Sequence, residues 1–298
     1  MAILDGGPTQ PVSTVTSASD RRSPAYDFWR RFSRNKLAVL GLCFLVFLIL
    51  TALFAPLIAP FEPRDRGDVF RGGPSRHNYF GTDIIGRDVF SRVVYGARVS
   101  LKIGIGATTI ALVIGVVFGA IAGFFGGWID TLLMRVTDIF LAIPYIVLAV
   151  AIASVFGRSE NSIVLVLGVT GWLGVSRIVR SSLLSLKELE YVEAARSLGF
   201  SRTRIITRHI LPNALEPIVA FGAITVGSAI LAEAALSFLG VGPQDPTPAW
   251  GLMIFQGRGD LADAPHLVLF PGLAISLTVL SFQLIGDGLR DALDPKQR

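Results

Sequence analysis

The sequence predicts an all-α, polytopic membrane protein of six transmembrane helices, and three observations carry that prediction. Hydrophobic residues make up 52% of the chain and charged ones only 16%, with a mean hydropathy of +0.61, too apolar for a water-soluble globule. The apolar residues come in unbroken runs rather than ten-residue alternating segments, which favours helices over a barrel. A span needs about 20 apolar residues, so 298 residues hold six spans and their connections.

Residues 1–36 read as a polar, Ser/Thr/Pro-rich tail without the charged-then-apolar order of a cleavable signal. The tail closes on the aromatic and basic stretch YDFWRRFSRNK. The first span is predicted at 37–59, followed by an external loop at 60–98. A five-helix core occupies 99–290, with spans at 99–124, 132–156, 163–179, 218–239 and 267–288, and 291–298 is a terminal tail. The span at 163–179 is the shortest. Within the second span, Gly104, Gly115, Gly119 and Gly123 leave a groove for close helix contact. Cys43, the single cysteine, permits no intrachain disulfide or CxxC site and reads as a packing residue.

Counting Lys and Arg orients the chain. With the N-terminus inside, cytoplasmic segments carry sixteen and external ones nine, so both termini are expected in the cytoplasm. The first external loop, with seven of the nine, runs against the bias. In its segment GTDIIGRDVFSRVVYGAR, Ile85, Val89 and Val93 fall on one helical stripe, with Asp88 and Arg92 at i,i+4 on the other side. That pattern fits an interfacial helix leading into the second span, or a substrate contact.

Ionisable residues inside spans need partners or a wet cavity. Arg135 and Asp138 lie three apart and read as a mutual pair with Arg135 snorkelling outward; a place for Asp138 on a transport path is the sharper alternative. Pro144 is expected to kink this third span. Glu233 has no local cation, so it is expected either on a permeation path or in a buried hydrogen bond to a neighbouring helix.

Catalytic constellations are absent: there is no HExxH, GxSxG or CxxC, and His77, His209 and His266 fall in different loops. None of the four lysines, Lys36, Lys102, Lys187 and Lys296, follows a glycine, so the chain has no P-loop of its own. The net charge of +5 is spread through loops without aromatic interleaving, which argues against nucleic acid. A secondary carrier needs coupling groups at mid-membrane and usually internal repeats. Only Asp138 and Glu233 lie well within spans, so an external engine is the simpler source of drive.

The segment 185–216 offers it an attachment point. Ser185 and Glu188 form a capping-box pattern, and helix-permissive residues run to Gly199, suited to a left-handed helix end. Ser201 can cap a second helix running toward Pro212. Ala194 and Ala195 are small enough for a partner surface to approach the backbone, and Glu193 adds a fixed negative charge. Such a helix can lie in a groove of another protein and be pushed as a lever, or it is an ordinary amphipathic loop.

EAARSLG followed by ILPNALEP resembles the EAA loop of bacterial ABC importer permeases. The match falls on Glu193, Ala194, Ala195, Gly199, Leu211 and Pro212; His209 stands where the general pattern has an apolar residue, although RHILPN is similar to the peptide-importing branch. GTDIIGRDVFSRVVYGARVSL and AEAALSFLGVGPQDPTPAWG, with the single span before a long external loop, resemble the C-type subunit of dipeptide, oligopeptide and nickel importers. The resemblance extends from about residue 37 to the C-terminus. It implies the type I ABC importer permease fold in a bacterial cytoplasmic membrane and no enzyme activity in this chain. ATP and Mg would be bound by two partner ATPase domains gripping the helix around Glu193–Gly199. It also implies a second homologous permease, an extracytoplasmic substrate-binding protein, and dipeptides or short oligopeptides as cargo. Nickel is the rival cargo, disfavoured by the lack of a His/Cys cluster.

Overall fold

The structure, a computed structural model, describes residues 24–293. Among them are twelve α-helices, with one isolated bridge between Thr82 and Asp88 as the only extended pairing. α1 (Pro24–Phe32) precedes the first span, α2 (Lys36–Leu53), which starts where Asn35 Oδ1 accepts the Ala38 amide at 3.1 Å. The apolar run breaks at Phe54, because Pro56 supplies no N–H and its ring crowds the carbonyl four residues back. A short turn, α3 (Ala55–Ile58), follows. The carbonyls freed by the break are taken by Arg98, which donates to Ala52 and, at 2.8 Å, to Leu53.

α4 (Val89–Phe125) is one continuous helix of 37 residues, about 55 Å long at 1.5 Å per residue, so it overshoots a hydrocarbon core of about 30 Å. The interfacial helix expected in the first loop is therefore not a separate element. Its residues from Val89 onward are the first turns of the second span, and Ile85 lies in the preceding coil. Asp88 does not pair with Arg92; its carboxylate caps α4 by accepting the Ser91 amide at 2.7 Å.

The expected third span is two helices, α5 (Gly127–Leu141) and α6 (Tyr145–Phe156), bent by 86°. Pro144 starts the second helix instead of kinking a continuous one, and the residue before a proline is pushed out of helical geometry. α7 (Glu160–Leu186) has 27 residues and corrects the reading of the fourth span as the shortest. It also runs through Ser185, whose hydroxyl donates to the Ser181 carbonyl at 3.2 Å, so the predicted capping box does not form. α8 (Glu190–Ser197) and α9 (Arg202–Ile205) precede a π-helical turn at Ile206–Ile210. α10 (Leu211–Phe238), α11 (Trp250–Gly257) and α12 (His266–Leu293) complete the chain. Among the described residues five helices are long and apolar enough to cross a membrane, or six spans if the bent pair counts as one.

The predicted glycine groove forms. A Cβ on Gly115 would stand 2.6 Å from Val175 Cγ1, one on Gly123 2.9 Å from Leu183 Cβ, and one on Gly104 2.6 Å from Ile230 Cγ1. α4 thus lies backbone-close to α7 along its C-terminal half and to α10 nearer its N-terminus. Gly115→Leu is expected to lose about 1–3 kcal/mol through overpacking, read as a lower melting temperature in detergent. Gly272→Ala, with nothing within 4 Å of the added carbon, should leave it unchanged. Cys43 is exposed on α2 and does not pack within this chain.

Beyond one end of the spans, residues 60–88 fold against 240–265 and the first turns of α12. Phe80 stacks on Phe270 at 3.8 Å, Arg71 pairs with Asp260 at 3.1 Å, and His266 Nε2 approaches the Thr82 carbonyl at 3.3 Å.

Candidate functional site

Three features carry chemistry, at three depths of the bundle. The first is the turn containing α8. Val192 and Ala195 are buried with Leu183 of α7 and Ile205, Ile210 and Ala214 of the following segment, so one face of the helix is fixed to two spans. Burying a side chain such as Val192 contributes about 1.5–3 kcal/mol. The opposite face is open: Tyr191, Glu193 and Ala194 are exposed, and Leu198 is 73% exposed.

Gly199 ends the helix at φ +75. Its amide donates to the Arg196 carbonyl at 3.0 Å and the Phe200 amide to the Ala195 carbonyl at 3.2 Å, the pair of bonds that closes a helix through a left-handed residue. Ser201 then accepts the Arg204 amide at 3.3 Å, as its capping role predicts. Ala195 packs inward, which corrects its expected place beside Ala194 on a partner-facing surface. The backbone of His209 lies in the π-helical turn and that of Leu211 opens α10; their side chains lie outside the described set. Pro212 is exposed at the second position of α10, where its missing N–H costs nothing.

The second feature is the bend between α5 and α6. Beside it lies a cavity of about 380 Å³ lined by Phe140, Pro144, Tyr145, Thr170, Thr225 and Ser228, among others. Its walls are mostly apolar, with hydroxyls from four helices. Thr170, Thr225 and Ser228 donate to carbonyls of their own helices, while Thr108 Oγ1, also at the cavity, is buried with no hydrogen-bond partner among the described residues. One turn before the bend, Asp138 accepts from Arg177 Nη2 at 2.6 Å, and near the other end of α5 Asp130 accepts from Arg180 Nη2 at 2.6 Å. The expected Arg135–Asp138 pair is thereby corrected: the acid pairs across to α7. Both members of the Asp138–Arg177 pair are about half exposed, so they line an open side of the subunit.

The third is Glu233, 0% exposed. Ser237, one turn on in the same helix, donates to its Oε1 at 2.7 Å, and Oε2 has no partner among the described residues. The expected hydrogen bond to a neighbouring helix is not made. Neither Glu233 nor Asp138 borders the cavity, and the structure does not bring the two together.

Outside these, Arg87 and Arg92 are 2% and 1% exposed. Arg87 donates to Asp83 Oδ2 and to Asp245 Oδ1, each at 2.6 Å, and to Gln256 Oε1 at 3.2 Å. Arg92 reaches Gln256 and the Pro63 carbonyl. Burial alone would raise the Asp245 carboxyl, but hydrogen bonds from Arg87 and Gln256 and the charges of both arginines outweigh it and hold it below the usual range.

Sequence reasoning missed this cluster and the cavity hydroxyls. Asp83 and Arg87 stand at i,i+4, but their third partner, Asp245, is 158 positions away. Thr225 and Ser228 do show a signal, two hydroxyls three apart in an apolar span.

The sequence matches the family model described as "Binding-protein-dependent transport system inner membrane component" over residues 115–298, and that of the "N-terminal TM domain of oligopeptide transport permease C" over 23–72. Among curated relatives, the glutathione transport system permease protein GsiD of Escherichia coli O6:K15:H31 is 44% identical over 277 residues, covering 92% of this chain and 91% of its own. The dipeptide transport system permease protein DppC of Alkalihalophilus pseudofirmus is 46% identical over 277 residues, 93% and 91% of the two chains. Among solved structures, a chain of the inward-facing MetNI methionine ABC transporter superposes with a TM-score of 0.59 at 20% identity, covering 69% of this chain and 97% of that one. At that identity the likeness concerns the fold.

Proposed function

Because the chain belongs to the family of binding-protein-dependent transport system inner membrane components, we propose that it is one of two permease subunits of a bacterial ABC importer for dipeptides or short oligopeptides. It is not an enzyme; two separate ATPase domains bind ATP and Mg. An extracytoplasmic binding protein delivers cargo to the outer face built from residues 60–88 and 240–265. Both termini lie in the cytoplasm, which puts α8 on the ATPase side.

The observation that carries this reading is the two-faced mounting of α8. Val192 and Ala195 lock it to α7 and α10, while Glu193, Ala194 and Leu198 stand free. Force applied to the free face therefore moves two spans together instead of bending a loop. The cavity at the α5–α6 bend and the Asp138–Arg177 pair on the open side support a path between this subunit and its partner permease. Glu233, enclosed on every side, supports a positioning role near the outer end of α10 better than contact with cargo. Among the described residues no three His, Cys, Asp or Glu side chains converge to hold a metal, so in a nickel importer selection would fall to another subunit.

Reconstitution tests the reading directly. Proteoliposomes holding this chain, its partner permease, the ATPases and the binding protein should take up dipeptide only with ATP and Mg. Uptake by this chain alone, driven by a proton or sodium gradient, would establish a secondary carrier instead.

A further inference from the structure

α1 and the turn after it hold an arrangement that the transport reading does not use. Phe28 and Phe32 sit four residues apart with ring centroids 6.1 Å apart. Phe32 is buried with Ala38 of α2 and Ala292 of α12, and Phe28 and Leu289 pack against them. The approach is tight: a Cβ on Gly288 would stand 3.1 Å from the Phe32 ring. Asn35 Nδ2 also donates to Asp291 Oδ2 at 3.4 Å. α1 is thus held against the last turns of one span and three residues before the first turn of another, at the level where hydrocarbon gives way to water.

On the rest of its surface, Trp29 is 53% and Tyr26 52% exposed. Arg30, Arg34 and Lys36 are exposed and Arg31 is partly so. Acids nearby are Asp27 on α1 itself and Asp287 and Asp291 on α12, which also carries Arg290. Five cations against three acids leave the patch positive. Half-exposed Trp beside a row of Arg and Lys, at that depth, matches the surface of an acidic bilayer: the indole prefers the interface and each nearby cation favours anionic headgroups by about fivefold.

We propose that α1 is a binding site for anionic phospholipid, with Trp29 seated in the interface and Arg30, Arg31, Arg34 and Lys36 on the phosphate headgroups. The proposal rests on the membrane reading of the spans but on neither the orientation of the chain nor the ATPase coupling. The lipid so bound clamps the N-terminal end of α2 and the C-terminal end of α12 together at the protein's rim.

The test uses the full chain in nanodiscs containing brominated phosphatidylglycerol or brominated phosphatidylcholine at equal mole fraction. The Trp29 signal is the difference between wild type and Trp29→Phe. Brominated phosphatidylglycerol should quench that component at least about twofold more than brominated phosphatidylcholine. The advantage should vanish in Arg30→Gln/Arg31→Gln/Arg34→Gln while quenching by phosphatidylcholine persists. It should also vanish for the wild type in 1 M salt, where the screening length is about 3 Å, a measurement that needs no folded variant. Equal quenching by the two lipids would overturn the anionic preference. No quenching by either would mean that water or protein covers Trp29, and would overturn the site. No ATPase or cargo enters the experiment, so its result is independent of the transport reading.

Discussion

Gly199→Asp is expected to bring ATP-driven uptake down to background while the subunit still folds and inserts. The residue stands at φ +75, and an added Cβ would meet nothing within 4 Å. Within this chain the substitution therefore costs only the left-handed backbone, about 1 kcal/mol, and Asp tolerates that region better than most residues. The large effect comes from outside. A carboxylate at the end of a docked helix is buried without a partner and costs about 3 kcal/mol or more, over a hundredfold in occupancy of the docked state. Gly199→Asn separates the two terms: it keeps the left-handed turn, adds no charge, and should retain most uptake. Transport assays and co-purification of the ATPases with each variant would read the difference. Normal uptake with Asp would remove α8 as the point of force transfer, and equal loss with Asn would shift the cause to the turn itself.

Arg87→Met should be the most destabilising single change among the segments 60–88 and 240–265, by about 3–5 kcal/mol. It leaves Asp83, already buried, and Asp245 without the guanidinium that bridges them. The consequence reaches beyond a local loop because the bridge joins residues 60–88 to 240–265, which the Arg71–Asp260 pair also ties, while the Phe80–Phe270 stack and the His266–Thr82 contact hold 60–88 to α12. Thermal unfolding in detergent should show the lowered midpoint, and replacing both Asp83 and Asp245 by Asn in the same chain should recover part of it. Acid dependence gives a second reading. The Asp245 carboxyl is held below its ordinary value in the folded protein. Its contribution is therefore present above the unfolded carboxylate value of about 3.9 and fades as pH falls through the lower folded value. Without Arg87 that acid-side loss should flatten. An unchanged midpoint and an unchanged acid limb would mean that the bridge contributes nothing net.

The membrane spans were legible because each depends on local composition: about 20 apolar residues suffice, and α2, α4, α7, α10 and α12 all appear where the runs lie. Boundaries were less so. The first turns of α4 and its cap carry Arg92, Arg98 and Asp88, residues that look like loop until the acceptors of the two arginines at Gln256 and Ala52, and the Ser91 amide that donates to Asp88, are in view. Pro144 announced a disturbance but not its size, since a proline kinks or breaks a helix according to what packs around it. At α8 the glycine and serine signals at Gly199 and Ser201 were local and held. The inward turn of Ala195 was not legible, because it is decided by Ile205, Ile210 and Ala214 arriving from the next segment.

By itself, then, the sequence determined a helical membrane protein with a capped polar turn between its fourth and fifth spans, because hydropathy, glycine at a left-handed helix end and serine at a helix start act over a few residues. Only the tertiary structure decided which charges meet. Asp138 found Arg177 rather than Arg135, and Arg87 found Asp245 across 158 positions. The partner is whichever opposite charge the packing of distant segments brings within about 3 Å, and spacing along one chain segment does not encode that.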